Sequence, residues 1–321
     1  MRFVPVNCIK EGMVSGRKIF GKNGELLLNT GLEIQSSYIE KLKELGYIGI
    51  YVEDDLSDDI QINEVISQTL RTKAVRTVKD AFIMLENGRD IYKDYIENIG
   101  DMIKEMTDEI LSNKDLMVNL IDLKVFDDYT YFHSINVGVL SIIMGVAINL
   151  SHDNLCNLGL ASILHDIGKV FINKNILNKP SKLTNAEFET IKTHSFKGYE
   201  YLEKSFDMPS SSCYGVLQHH ERFDGFGYPK GAKGNKISLF GKIIAIADVY
   251  DALTSKRPYR NAIEPSEAIE YIMGGCGTLF DPELVNVFTQ KIAPYPIGTL
   301  QPEAESQNYH ARERRCKTLL Y

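Results

Sequence analysis

Short apolar runs separated by turn sequences mark the first part of the 321-residue chain. Between residues 1 and 56, runs such as residues 3–5 and 26–28 are divided by glycine-containing sequences that are typical of turns. A helical pattern over residues 36–45 follows and ends before Gly46, a candidate helix C-cap. We interpret residues 1–56 as a small α+β module.

A helical period replaces this pattern between residues 57 and 112. Apolar residues recur there at steps of three and four, with one interruption at Asn87-Gly88. Two interpretations remain open because the heptad repeats are short. The region could be an antiparallel pair of helices that packs on a neighbour, or it could contain signalling helices that form a homodimer. The apolar positions are Ile62, Val65, Ile66, Leu70, Val75, Val78, Phe82 and Leu85.

Residues 113–300 combine helical periods with helix-start signals and few strand patterns. Thr184 and Glu187 have the spacing of a capping box, and Asp281-Pro282 supplies an N-cap with proline at the first helical position. We therefore predict an all-helical domain and a protein that is mainly α. Residues 301–321 are polar and without period, which indicates either a disordered tail or an altered C-terminus.

Composition excludes several classes of protein. The chain is 44% hydrophobic and 25% charged, with a net charge of −7, which argues against broad binding to DNA, RNA or an anionic membrane. The apolar stretch 137–150 is too short to span a bilayer. We expect a cytoplasmic protein, because the five cysteines are scattered and form no CxxC pair: Cys8, Cys156, Cys213, Cys276 and Cys316.

The histidines carry the chemistry of the third region. Asp166 follows one of them directly and Asp248 lies in an apolar run, so both carboxylates are expected to be buried. An unpaired buried charge costs several kcal/mol, and a bound metal would offset that cost. His152 and His310 are interpreted as structural. The candidate ligands are His133, His165, His194, His219 and His220, together with the two aspartates.

Imidazole and carboxylate donors without a thiolate suit Fe, Mn or Zn better than Ca or Mg. Seven ligands exceed one metal and fit two six-coordinate ions, with one carboxylate bridging. On a helix, His165 and Asp166 would point about 100° apart, so that the histidine binds one metal and the aspartate lies between both. Lys169 would share the histidine face and hold a phosphate oxygen or the attacking hydroxide. We expect two divalent transition metal ions, Fe or Mn.

A resemblance to a known family enters with these motifs. The sequence 163–169, ILHDIGK, with His133 before it and Asp248 after it, resembles the H…HD…D signature of HD-superfamily metal phosphohydrolases. His194, the pair His219-His220 with its following glycine-rich loop, and residues 248–260 resemble the HD-GYP subfamily, the cyclic di-GMP phosphodiesterases. The resemblance covers residues 120–297, and residues 1–56 more loosely resemble a module found ahead of some HD-GYP domains.

The resemblance implies a dinuclear metal site. In it, His133, His165 and Asp248 would bind the first metal, His194, His219 and His220 the second, and Asp166 would bridge. Some family members have a glutamate four residues before the first histidine, associated with a third metal. Tyr129 stands at that position here, so we expect two metals.

Cyclic di-GMP is the implied substrate, hydrolysed to pGpG or further to GMP, two alternatives that stay open, with Asp166 and Lys169 as catalytic residues. The Gly227-Tyr228-Pro229 loop would close one wall of the substrate groove. Arginine suits bidentate binding of phosphate or guanine. The predicted substrate-binding residues are Lys169, Asp224, Gly227, Tyr228, Pro229, Arg257 and Arg260.

Several alternatives stay open. The protein could hydrolyse another cyclic dinucleotide or nucleotide, or it could be a nucleotide-binding sensor with little turnover. Asp224 could cap the turn of the loop as readily as touch the ligand. Asp251, three residues after Asp248, could support a ligand or sit at a helix end.

Overall fold

The computed structural model describes residues 1–20, 26–45, 47, 49–55, 57, 64–88, 93–113, 129–255, 262–295 and 298–299. Its contacts divide the chain into two compact units. The first unit contains the described residues up to 57 together with residues 293–295 and 298–299. The second unit contains the described residues from 64 to 292.

The first unit is a small α+β structure, as the sequence predicted. β1 (Arg2–Pro5) and β2 (Val14–Ser15) both pair antiparallel with β5 (Gly49–Glu53), so that β5 lies in the middle of the sheet. β3 (Ile19–Phe20) and β4 (Leu26–Leu28) form a second antiparallel pair, and α1 is Ser36–Leu45. The two-residue strand β2 was not predicted, because two residues carry no readable alternation.

The secondary-structure elements of the second unit are all helices within its described residues, apart from the isolated bridge between Cys276 and Phe280, which confirms the predicted fold class. Two 3-10 helices, Ile167–Phe171 and Gly234–Lys236, interrupt the α-helices. The α-helices are α2 (Gln68–Glu86), α3 (Lys93–Ser112), α4 (Tyr129–Ala147), α5 (His152–Ile163), α6 (Lys174–Leu177), α7 (Asn185–Ser205), α8 (Ser210–Gln218), α9 (Leu239–Thr254), α10 (Pro265–Gly274) and α11 (Pro282–Lys291).

The predicted helix starts are present. Thr184 and Glu187 form the reciprocal capping box of α7, and Asp281, directly before Pro282, accepts hydrogen bonds from the backbone N–H groups of Glu283 and Leu284 in α11. Caps of this kind stabilise a helix by about 1 kcal/mol each. They begin these helices where the sequence indicated, which places the predicted ligand His194 two and a half turns into α7.

Helices α4 and α9 form the centre of the second unit and pack on each other. Val137, Leu140, Ile244 and Ile246 are fully buried, so both helices are apolar on most of their circumference. Polar side chains on these helices are therefore held in the interior. Within the described part of the chain, none of the helices combines the length and the apolar character needed to cross a bilayer.

Helices α2 and α3 use their apolar positions inside the second unit. Leu70, Val78 and Phe82 of α2 are each 5% exposed or less, as is Ile66 just before this helix, and α3 packs against α4 and α5. The apolar residues that produce the helical period are thus buried against neighbouring helices. This agrees with the interpretation that the two helices pack on a neighbour. Homodimer formation and the boundaries 57–112 and 113–300 stay predictions. The tail 301–321 lies outside the described residues.

Candidate metal centre

The seven predicted ligands meet in the second unit as two adjoining groups. Within each group, one ligand atom per residue lies within 4.8 Å of the others. We call the first group, His133, His165 and Asp248, the first cluster. We call the second group, Asp166, His194, His219 and His220, the second cluster. The structure thus brings together residues that are up to 115 positions apart in the chain, in the partition that the resemblance implied.

The predicted helical geometry of His165 and Asp166 is wrong. Helix α5 ends at Ile163, and both residues lie in the turn that leads into the 3-10 helix Ile167–Phe171. The chain turns there to run directly against α7. A Cβ atom on Gly168 would lie 1.9 Å from the backbone oxygen of His194, so this approach requires glycine.

Asp166 has one carboxylate oxygen toward each cluster. Its Oδ1 lies 3.4 Å from Nε2 of His194 in the second cluster. Its Oδ2 lies 3.4 Å from Nε2 of His165 and 3.9 Å from Nε2 of His133 in the first cluster. This orientation is the one that a carboxylate bridging two cations requires.

Hydrogen bonds donated by Nδ1 orient three of the histidine rings in the clusters. His165 donates to the carbonyl oxygen of Ser162 over 2.7 Å, His194 to that of Ile191 over 2.7 Å, and His219 to that of Val216 over 2.6 Å. Each acceptor is a backbone oxygen of the preceding helical turn. Since Nδ1 then carries the proton, the Nε2 lone pair is free to bind a metal ion at the cluster.

A carboxylate fills the same role for His133. Nδ1 of His133 lies 2.7 Å from Oδ2 of Asp251, whose Oδ1 accepts a hydrogen bond from Asn136 Nδ2 over 2.8 Å. On the other side of the ring, Nε2 lies 3.1 Å from Asp248 Oδ1. Asp251 therefore supports a ligand, one of the two roles that the sequence left open.

Two polar atoms at the centre of the site are buried without a hydrogen-bond partner. They are Nε2 of His165 and Oδ1 of Asp166. A buried acceptor without a partner costs about 1–3 kcal/mol, and more when it is charged. A cation held by these atoms would remove that cost, and imidazole with carboxylate is a donor set for divalent transition metals. The residues present therefore fit a divalent metal centre.

The carboxylates of the site are ionised. Burial acts to raise the pKa of Asp166, but the Lys169 ammonium and His165 outweigh it and hold the pKa well below its usual range. Burial likewise acts to raise the pKa of Asp248, but the hydrogen bond from His133 outweighs it and holds that pKa well below its usual range. Both aspartates can therefore serve as anionic ligands at neutral pH.

The imidazoles of the second cluster are neutral. Burial lowers the pKa of His219 well below 6.5 and that of His220 to about 3, and neighbouring histidines add to both shifts. Burial also lowers the pKa of His194. His133 differs: burial acts to lower its pKa, but hydrogen bonds to Asp248 and Asp251 raise it to about 9. Without metal, His133 is therefore protonated at neutral pH.

Lys169 and the glycine-rich loop lie beside the clusters. Nζ of Lys169 donates to Oδ2 of Asp166, and its side chain is 33% exposed. The Tyr228 ring stacks on His220 with centroids 4.8 Å apart, and Nζ of Lys192 lies 5.6 Å from the Tyr228 centroid. Burial raises the pKa of Tyr228, so its phenol is neutral.

The remaining predicted substrate residues have different outcomes. Asp224 accepts from both Arg222 and the backbone N–H of Phe226, so it caps the loop turn. Its contact with substrate stays a prediction. Arg257 and Arg260 lie outside the described residues.

Three residues with evident roles at the site were not predicted: Asn136, Lys192 and Glu221. Asn136 is three residues after His133, so it shares a helical face with a ligand, and that spacing is a readable signal. Glu221 directly follows the pair His219-His220 and is 3% exposed. A carboxylate next to buried ligands could have been identified in the same way as Asp166.

The chain resembles curated phosphodiesterases over much of its length. A cyclic di-GMP phosphodiesterase from Pseudomonas aeruginosa is 38% identical over 201 residues, which cover 63% of this chain and 48% of the relative. A cyclic di-GMP phosphodiesterase from Thermotoga maritima is 32% identical over 240 residues, with coverages of 72% and 64%. A 3'3'-cGAMP-specific phosphodiesterase from Vibrio cholerae is 36% identical over 190 residues, with coverages of 59% and 43%.

The chain thus spans between 43% and 64% of the length of these three relatives. Among solved structures, an HDG"Y"P protein from Bdellovibrio bacteriovorus has a TM-score of 0.54 at 15% identity, covering 90% of this chain and 98% of its own, which supports the fold. The sequence matches the HD-domain family over residues 108–284, more than half of the chain. With its two clusters and the His219–Pro229 motif, the chain belongs to the HD-domain family and has the motifs of its HD-GYP type.

Proposed function

We propose that the protein is a metal-dependent phosphodiesterase that hydrolyses cyclic di-GMP to pGpG, with GMP as the alternative end product. The observation that carries the proposal is the orientation of Asp166, with one carboxylate oxygen toward each of two ligand clusters. Two of the three relatives described above are named cyclic di-GMP phosphodiesterases. Their longer chains make the activity of this protein a proposal.

The site would hold two divalent ions, which we propose to be Fe or Mn. His133, His165 and Asp248 would bind one ion, His194, His219 and His220 the other, and Asp166 both. When bound, such a pair supplies Lewis acidity that activates water at neutral pH and stabilises charge on phosphoryl oxygens. The neutral imidazoles of the second cluster and the ionised carboxylates of Asp166 and Asp248 are the protonation states that this binding needs, and His133 would release its proton when the metal binds.

Lys169 supplies the positive charge of the protein itself. Its ammonium is bound to Asp166 and one third exposed, so it can reach an oxygen of a phosphate that lies against the clusters. There it would neutralise charge that develops on the phosphoryl oxygens during the reaction. This role needs the lysine charge, and an uncharged side chain of the same length cannot replace it.

The loop Gly227-Tyr228-Pro229 would form one wall of the substrate groove. The stacking of Tyr228 on His220 places an aromatic ring directly beside a ligand of the second cluster. We propose that Asp224, Arg257 and Arg260 also contribute to substrate binding, the arginines by bidentate contacts to phosphate or guanine. We further propose a cytoplasmic location and a homodimer formed through α2 and α3, with no DNA, RNA or membrane partner.

A second candidate substrate is another cyclic dinucleotide, since one relative is named as specific for 3'3'-cGAMP. The two substrates share the phosphodiester chemistry of the clusters and differ in one base. A sensor with little turnover is the third candidate. The orphaned atoms of His165 and Asp166 favour an enzyme, because a binder of nucleotide alone has no need of a complete dinuclear ligand set.

The test is turnover by protein purified without oxygen, with bound metal measured by elemental analysis. We expect about two metal equivalents and hydrolysis of cyclic di-GMP faster than that of 3'3'-cGAMP. Protein stripped with a chelator is the control and should be inactive until Mn²⁺ or Fe²⁺ is restored. Faster hydrolysis of 3'3'-cGAMP would establish the second candidate, and tight nucleotide binding without hydrolysis in the metal-loaded protein would establish the sensor.

A further inference from the structure

Glu221 is a buried carboxylate whose two oxygens both bind the far side of the glycine-rich loop. Its Oε1 accepts a hydrogen bond from the backbone N–H of Lys230 over 2.8 Å, and its Oε2 accepts one from Ala232 over 2.9 Å. The residue is 3% exposed. These two hydrogen bonds tie the Glu221 side chain to the backbone nine and eleven residues further along the chain.

The loop also folds back on the backbone that carries Glu221. The N–H of Tyr228 donates to the carbonyl oxygen of His220 over 3.1 Å. A Cβ atom on Gly227 would lie 2.3 Å from the nitrogen of Arg222 and 2.5 Å from Cα of Glu221, so only glycine permits this approach. Residues 227–228 and residues 230–232 of the loop therefore both contact residues 220–222.

The hydrogen bonds of the loop with His220 and Glu221 determine where the Tyr228 ring lies. One face of the ring stacks on His220 at 4.8 Å and an interplanar angle of 32°, and the Lys192 ammonium lies 5.6 Å from its centroid. Tyr228 is two residues before Lys230, whose N–H Glu221 holds. If the end of the loop were released, the ring would lose its fixed position beside the second cluster.

We propose that Glu221 is a positioning residue that sets substrate selectivity by holding the Tyr228 wall against His220. The inference rests on the proposed function, since it assigns the wall to a cyclic dinucleotide. A cyclic dinucleotide extends beyond the reacting phosphate and touches this wall. A small phosphodiester such as bis(p-nitrophenyl) phosphate needs only the clusters and Lys169.

Glu221→Gln tests the proposal with little change in shape. Glutamine keeps one accepting oxygen and places an NH₂ group against the second N–H, so one of the two loop contacts is lost. Glu187→Gln is the matched control, because Glu187 also accepts a backbone N–H, that of Thr184 over 2.7 Å, but does so at the start of α7. Glu221→Asp, which keeps the charge and shortens the side chain, is a second variant.

The first readout is hydrogen exchange in the metal-free protein. The amides of residues 228 and 230–232 should exchange about tenfold faster in Glu221→Gln than in wild type or Glu187→Gln, as expected for the loss of one charge-assisted hydrogen bond. Unchanged exchange in Glu221→Gln and Glu221→Asp would overturn the proposal. This readout needs no substrate, so it judges the loop contact even if cyclic di-GMP is not hydrolysed.

The second readout separates positioning from a general structural role. At unchanged metal content, kcat/KM for cyclic di-GMP should fall about tenfold in Glu221→Gln, mainly through KM, while hydrolysis of bis(p-nitrophenyl) phosphate changes by less than about twofold. Equal losses on both substrates, or a loss of bound metal, would overturn the selectivity role. Absence of cyclic di-GMP hydrolysis by wild type would instead contradict the proposed function.

Discussion

His133 donates its Nδ1–H to Oδ2 of Asp251 over 2.7 Å, and the two side chains are only 4% and 1% exposed. The second oxygen of Asp251 accepts from Asn136. Ser255 Oγ also donates to Oδ2 over 3.4 Å, so the carboxylate is held by three donors, one of which is the predicted ligand His133. A histidine oriented by a buried carboxylate presents a more basic Nε2 in a fixed direction, which favours metal binding.

Asp251→Asn should weaken metal binding at the first cluster about ten- to a hundredfold, the usual effect of losing such a supporting group. The asparagine amide cannot accept from both His133 and Asn136 in the present geometry. Metal titration followed by elemental analysis measures the change. Asp108→Asn is the control, because Asp108 accepts from the exposed His152 over 2.9 Å, away from the clusters. Equal losses in the two variants would contradict the orienting role.

Asp166→Ala should abolish phosphodiester hydrolysis and lower bound metal, since both clusters lose an anionic ligand. Helical content should stay near wild type, because Asp166 lies in a turn and not within a helix. Activity, elemental analysis and circular dichroism are measured together, with the exposed Asp207→Ala as control. Wild-type turnover after loss of metal would rule out the bridging role.

The metal-free protein should be most stable near pH 6.5. The folded-state pKa of His133 is raised to about 9, so its stabilising contribution is fully present below 6.5 and is lost as the pH rises through 9. The folded-state pKa of His220 is lowered to about 3, so stability is lost as the pH falls below 6.5, where the unfolded state takes up the proton.

Denaturant midpoints between pH 4 and pH 10, with a chelator present, measure this dependence. Added metal should flatten the alkaline side, because the metal replaces the proton on Nε2 of His133. His152→Gln, at a histidine outside the two clusters that is 44% exposed, is the control variant. A midpoint that rises steadily from pH 6.5 to pH 9 without metal would contradict the shift at His133.

Arg257→Ala and Arg260→Ala should each reduce kcat/KM for cyclic di-GMP about ten- to a hundredfold, the effect of losing a charge-assisted contact. Bis(p-nitrophenyl) phosphate has no guanine to hold, so its hydrolysis should change less. Bound metal should be unchanged in both variants. Arg76→Ala, an exposed arginine on α2, is the control. Equal losses on the two substrates would show that the arginines serve the chemistry or the fold.

A homodimer through α2 and α3 should be visible by sedimentation at tens of micromolar, an order of magnitude that suits weak association. Most apolar positions of these helices are buried within the unit, but Ile83 on α2 is 37% exposed. Ile83→Glu should therefore shift the protein toward monomer. Leu32→Glu, at a 48% exposed leucine of the first unit, should not. A monomeric wild type would refute the dimer.

The local features of this protein were readable from the sequence. Capping at Thr184 and Asp281 uses side chains within three residues of the groups they bind, so the pattern alone indicates where α7 and α11 begin. The candidate ligands were identified for a similar reason. A histidine or aspartate in an apolar run must find a partner when it is buried, and that requirement can be recognised without knowing the partner.

The end of α5 was not readable in this way. Residues 161–168 continue an apolar helical period, yet the helix stops at Ile163. The reason lies in another element: Gly168 packs against the backbone of His194, and this contact with α7 is possible only if the chain leaves the helix. A tertiary contact outweighed the local preference.

The sequence by itself determined the donor types, the helical class and the seven candidate ligands, because these depend on residue chemistry and on a period of three or four residues. Only the tertiary structure decided which atoms face each other. Asp251 meets His133 across 118 positions, and one oxygen of Asp166 turns toward each cluster. Hydrogen bonds and metal coordination act over about 3 Å and along fixed directions, so they are settled by how helices pack and not by spacing along the chain.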